Sequence, residues 1–268
     1  MNKAHQLLKS VYGYDSFRPL QEEIIEHVMS GHDALVLMPT GGGKSICYQI
    51  PALMLEGLTI VVSPLISLMK DQVDALKANG IAADAMNSSR EISINDRIKK
   101  LCKTGEIKLL YVSPERLIAE LGWLKEHVKV ALIAIDEAHC VSQWGHDFRI
   151  EYTQLGIMKD HFPSTAILAL TATADKVTKT DILEQLRLNN PRIFTGSFDR
   201  PNLSLDVRKG YGKQDRLRTI MDVIRRHQNE SGIIYCLTRK GAEELAADLN
   251  TRNISVGVYH AGLSAEER

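Results

Sequence analysis

The feature that most constrains this chain is the alternation of short, apolar, β-branched runs with longer stretches of helical periodicity. ALVLM (34–38), LTIVVS (58–63), IKLLYV (in the region 106–112), VALIAID (130–136) and TAILALT (165–171) read as buried strands. Helical patterns lie between them, among them 65–79, 91–103 and 175–187. Strands that are apolar on both faces and separated by helices predict a parallel sheet covered on both sides, because parallel pairing needs a long crossover and the crossover helices bury the sheet. A second, weaker series follows. LSLDV (203–207), GIIYCL (232–237) and ISVGVYH (254–260) read as strands, with helices near 214–228 and 239–251. SFDRPN (197–202) has a proline and no period, which marks a linker. The expectation is one α/β domain over 1–200 and an incomplete α/β domain over 201–268, since three strands fall short of the usual five or six.

Composition narrows the class. The 268 residues are 44% hydrophobic and 25% charged, the balance of a globular chain. No apolar run approaches the roughly 18–20 residues of a membrane span. The N-terminal residues MNKAHQLLKSVYGYDSF lack the continuous apolar core of a secretory signal. A cytoplasmic location without membrane contact is therefore expected. Thirty-three basic and thirty-three acidic residues cancel, so any nucleic-acid contact is expected in a local groove and not on a broad basic surface. Cys47, Cys102, Cys140 and Cys236 fit no metal or disulfide spacing and are expected to be buried small hydrophobes.

Two motifs carry chemistry. MPTGGGKS (38–45) follows the first strand and opens a helix. Gly41, Gly42 and Gly43, with Thr40 before them, let the backbone curl so that several N–H groups face phosphate oxygens. The helix N-terminus adds a favourable dipole. Lys44 can reach the β- and γ-phosphates of ATP and Ser45 can ligate Mg²⁺. The motif departs from GxxxxGK[ST] at Met38, where that pattern has glycine. Asp136 and Glu137, in DEAH (136–139), end an apolar strand on the edge where ligands bind in open parallel sheets. There Asp136 suits the Mg²⁺ shell and Glu137 can polarise the attacking water.

The order FRPLQ (17–21), MPTGGGKS, VVSPLISLMKDQV (61–73), YVSPERL (111–117), IDEAHCVSQWGHDFR (135–149), LALTATA (168–174) and YHAGLSAEER (259–268) resembles RecQ-family DNA helicases of superfamily two. DEAHCVSQWGHDFR and SFDRPNL (197–203) are its most specific parts, and SQWGHDFR disfavours an RNA helicase. The resemblance implies two RecA-like domains with ATP between them, only the N-terminal part of which is here. It implies that Tyr14 stacks on adenine and that Arg18 and Gln21 bind the nucleotide. Lys44, Glu137 and His139 would be catalytic, with His139 linked to Thr171–Thr173. Trp144, His146, Phe148 and Arg149 would sense single-stranded DNA by stacking and phosphate pairing. Ser63 and Ser113 would touch the DNA backbone. The implied activity is ATP-dependent 3′-to-5′ translocation and unwinding in recombination and repair, on single-stranded and partly duplex DNA. The arginines that complete such an ATP site do not occur in a GRxGR context here. A second expectation is therefore an ATP- and DNA-binding module that does not unwind.

Overall fold

The computed structural model describes residues 3–142, 149–197, 199 and 203–264. In chain order the first unit, Met1–Pro201, runs α1 (Lys3–Tyr12), α2 (Gln21–Met29), β1 (Ala34–Leu37), α3 (Ile46–Met54), β2 (Leu58–Val62), α4 (Ile66–Ala78), β3 (Ala83–Met86) and α5 (Ile92–Lys103). It continues with β4 (Leu109–Val112), α6 (Pro114–His127), β5 (Val130–Ile135), the short α7 (Ile150–Thr153) and α8 (Met158–His161), β6 (Ile167–Thr171), α9 (Lys176–Gln185) and β7 (Arg192–Thr195). The seven strands pair only in parallel, in the order β3-β4-β2-β5-β6-β1-β7.

Strand alternation divides the core. Leu35 and Leu37 of β1 pack with Ile60, Ile133, Ile135 and Tyr152 on one face. Ala34, Val36 and Met38 pack with Cys47, Tyr48, Val61 and Tyr111 on the other. Both faces are buried, as near-continuous apolar strands require. One buried carboxylate fastens the far edge. Asp33 accepts from the backbone N–H groups of Ile167 (2.8 Å) and Asn189 (2.7 Å) and pairs with Lys159 at 2.7 Å.

The five strands expected in this unit all form, and two more appear. β3 (ADAM) carries an aspartate and no β-branched residue, and β7 (RIFT) is an edge strand with one buried side chain, so neither has an apolar run to betray it. Cys47, Cys102 and Cys140 are buried as expected, but Cys236 is exposed.

The second unit, Asn202–Arg268, departs from the sequence expectation. α10 (Lys213–Arg226) and α11 (Arg239–Asn250) form, but 203–207, 232–237 and 254–260 make no strand among the described residues. The side chains of Ile233 (82% exposed) and Tyr235 (92%) stand in solvent. A strand persists only when its backbone pairs with a neighbouring strand, and among the described residues these segments pair with none: GIIYCL is exposed throughout, while Ile254 N–H donates to Leu249 O at 3.2 Å and Val256 bonds the Asn250 side chain. The helices hold by local means instead: Asp215 accepts from Gly212 N–H at 3.3 Å and Thr238 Oγ1 caps α11 through Gly241 N–H at 3.0 Å. No helix among the described residues is long and apolar enough to cross a membrane.

Candidate active site

Because the sheet is parallel, β1, β5 and β6 all end on one edge, and the two sequence motifs meet there. The phosphate loop leaves β1 at Met38, whose N–H donates to Thr171 O of β6 at 3.1 Å. The reversal is made at Gly41 (φ 79°) and Gly43 (φ 84°), in the region that L side chains rarely adopt. Met38 is buried in the core, so glycine is not needed at that position. Lys44 Nζ donates to Met38 O at 3.1 Å, curled over its own loop. Ser45 lies at the N-terminus of α3.

The N-terminal residues reach the same loop. Gln21, buried at the start of α2, accepts from Arg18 N–H at 2.8 Å and donates from Nε2 to Gly43 O at 2.9 Å. The Arg18 guanidinium donates to Gly41 O. A Cβ on Gly43 would meet Gln21 Nε2 at 2.4 Å, so a side chain there would push the Gln21 amide off this contact. Tyr14 is exposed on the same N-terminal stretch, and Thr40 is exposed at the loop.

At the end of β5, Asp136 N–H donates to Val62 O at 2.9 Å. Glu137 follows in a left-handed backbone (φ 48°), and its N–H donates to Asp136 Oδ1 at 3.0 Å. The Tyr152 hydroxyl braces this turn by donating to Asp136 O at 3.0 Å, a contact with no signal in the sequence. Burial, with the neighbouring Glu137 charge, raises the Asp136 carboxyl to about 6, against the opposing pull of Lys44 and His139. His139 Nδ1 lies 2.9 Å from Thr171 Oγ1 and 3.3 Å from Glu137 Oε2. Its imidazole is raised to about 10 by the Cys140 side chain and by Glu137.

This donor set fits a magnesium nucleotide. Asp136 is a half-desolvated carboxylate beside a second carboxylate, a site that a hard cation relieves. Among the described residues no three His, Cys, Asp or Glu side chains form a metal cage, and Mg²⁺ at such sites takes one or two protein oxygens plus phosphates and water. Ser45 and Asp136 are the residues that would hold it.

The DNA-side residues are less united. Ser63 and Ser113 end the adjacent strands β2 and β4, but both are buried. Ser63 Oγ has no hydrogen-bond partner, and Ser113 Oγ donates to Glu115 at 2.6 Å. Both hydroxyls are covered by the surrounding chain. Arg149 is exposed at the start of α7. Trp144, His146 and Phe148 lie outside the described residues.

The sequence pattern of the DEAD/DEAH box helicases matches residues 18–180, which spans the phosphate loop, DEAH and Thr171–Thr173. The chain belongs to that family. Within it, the chain is 50% identical over 267 residues to the ATP-dependent DNA helicase RecQ of Pasteurella multocida, covering 99% of the chain and 42% of the relative. It is 51% identical over 266 residues to the RecQ of Haemophilus influenzae, covering 99% and 42%. The resemblance to RecQ helicases is thus borne out, and the chain spans about two-fifths of the length of these relatives. The fold of the chain matches the DEAD-box helicase Mss116 bound to ssRNA and UDP-BeF, with TM-score 0.70 at 16% identity over 100% of this chain and 60% of that one.

Proposed function

We propose that this chain supplies the ATP-binding half of a RecQ-type DNA helicase that moves 3′ to 5′ on single-stranded DNA in recombination and repair. The observation that carries the reading is the convergence of the glycine loop, Asp136–Glu137 and the His139–Thr171 contact on one edge of the sheet. Lys44 would leave Met38 O for the phosphates. Mg²⁺, held by Ser45 and Asp136, would neutralise phosphate charge. Glu137 would accept the proton of the attacking water, and His139 would hold Glu137 in place through Nδ1. Gln21 and Arg18 would fix the loop while Tyr14 offers an aromatic face to adenine. Trp144, Phe148, His146 and Arg149 would read single-stranded DNA. The similarity to the RecQ DNA helicases supports DNA as the nucleic acid.

The segments 232–237 and 254–260, neither of which joins a sheet among the described residues, favour a narrower reading for the chain taken alone: it binds ATP and single-stranded DNA without unwinding. A strand-displacement assay on a duplex with a 3′ single-stranded tail separates the two. ATP-dependent displacement supports the helicase reading for this chain, and binding without displacement supports the narrower one. Failure to bind either ligand rejects both.

A further inference from the structure

Directly behind the phosphate loop, on the face opposite Tyr152, the core contains polar groups that the chemistry above does not use. Tyr48 and Gln49 belong to α3, which continues from Ser45. Tyr48 and Tyr111 are both 1% exposed, and their hydroxyls lie 3.3 Å apart with the rings edge to face. The Gln49 amide, also buried, donates to Tyr111 OH at 3.4 Å and to Gln72 Oε1 at 3.4 Å. Three elements are joined in this way. Tyr111 lies on β4 two residues before Ser113, and Gln72 lies on α4, which begins at Ile66 within SPLISL, just after Ser63. Leucine and phenylalanine would fill the same volume without desolvating the polar groups of Tyr48, Gln49 and Tyr111. A buried polar chain of this kind fixes one relative arrangement of the elements it joins, because any other leaves donors unpaired.

We propose that Tyr48, Gln49, Tyr111 and Gln72 form a buried ladder through which the phosphate-loop helix α3 and the two strand ends bearing Ser63 and Ser113 bias one another, making Gln49 and Tyr111 positioning residues for the coupling of nucleotide to DNA. The inference rests on the function proposed above. It deepens that function by naming the groups that carry the coupling. Such coupling is reciprocal: nucleotide raises DNA affinity by the factor by which DNA raises nucleotide affinity.

The test is equilibrium binding to this chain. A labelled oligothymidylate is titrated with and without a non-hydrolysable ATP analogue and Mg²⁺, and a fluorescent analogue is titrated with and without the oligonucleotide. The wild type is expected to show a factor of about 5 or more. Tyr111→Phe and Gln49→Leu should bring the factor to roughly 1 while each ligand alone binds within about threefold of wild type. Gln72→Met removes the rung to α4 at the half-exposed end and leaves Gln49 on Tyr111, so it should lower the factor by about twofold or more without touching the core, which keeps the test valid if a core variant unfolds. Gln72→Glu keeps an acceptor for Gln49 and should retain the coupling. Wild-type coupling that survives undiminished in Gln72→Met overturns the ladder, and so does binding of both ligands with no coupling in the wild type. Binding of neither ligand by the wild type overturns the proposed function instead.

Discussion

His139 Nδ1 meets Thr171 Oγ1 at 2.9 Å, and this contact ties the end of β5 to the end of β6. The hydroxyl of Thr171 already donates to Thr173 O at 2.9 Å, so its oxygen must accept and the imidazole must carry the proton at Nδ1. The same nitrogen lies 3.3 Å from Glu137 Oε2. One protonated ring nitrogen therefore holds both the carboxylate of DEAH and the threonine of the neighbouring strand.

A titration follows from that arrangement. His139 is held protonated above the ordinary histidine range by Cys140 and Glu137. A raised folded-state pKa gives stability that is present below about pH 6.5 and is lost as pH climbs through the folded value. Glu137→Gln removes one of the two causes and should lower the His139 midpoint, read by NMR of the imidazole. A midpoint unchanged in Glu137→Gln would show that Glu137 does not hold the ring.

Gly43 and Gly41 should respond differently to alanine. Both have positive φ, so both substitutions strain the backbone. Only at Gly43 does the new methyl meet Gln21 Nε2, at 2.4 Å, whereas at Gly41 it meets nothing within 4 Å. Gly43→Ala should cost about 1–3 kcal/mol more, since it also breaks a buried hydrogen bond of Gln21. Thermal melts of the two variants decide it, and equal melting temperatures would remove Gln21 from the loop's support.

Asp136→Asn should stabilise the nucleotide-free chain. The carboxyl is raised from 3.8 to about 6, so the folded state binds its proton more tightly and stability declines as pH rises across that interval. Above the interval the buried charge costs roughly 1–3 kcal/mol. Asparagine removes the charge and can still accept from Glu137 N–H, so the melting temperature at neutral pH should rise by several degrees, at ~2–4 °C per kcal/mol. The same variant should lose the Mg²⁺-dependent part of ATP binding. A lower melting temperature would mean that the carboxylate is satisfied within the protein.

Much of this was legible in the sequence because the signals are local. β1, β2, β4, β5 and β6 are apolar on both faces, and GGGKS and DEAH stand at strand ends where a parallel sheet must gather them. What escaped depends on distant partners. β3 and β7 are strands by virtue of β4 and β1 beside them, not of their own composition. Tyr152 reaches Asp136 O, and Tyr111 reaches Gln49 from 62 residues away, through a packing that no spacing encodes. The reverse error arose in the second unit. GIIYCL has a strand's composition, but without neighbours its side chains remain in solvent.

The central claim is that loop 38–45 holds the phosphates of a magnesium nucleotide through Lys44. Its most direct measurement is the affinity of this chain for a non-hydrolysable ATP analogue, with and without Mg²⁺, compared with Lys44→Ala. In the wild type the ammonium has only to leave Met38 O, 3.1 Å away, to meet the phosphates. Its loss removes a charge-assisted contact worth about 1.5–3 kcal/mol, so affinity should fall by roughly 10- to 150-fold at unchanged melting temperature. Equal affinity in the two proteins would contradict the account.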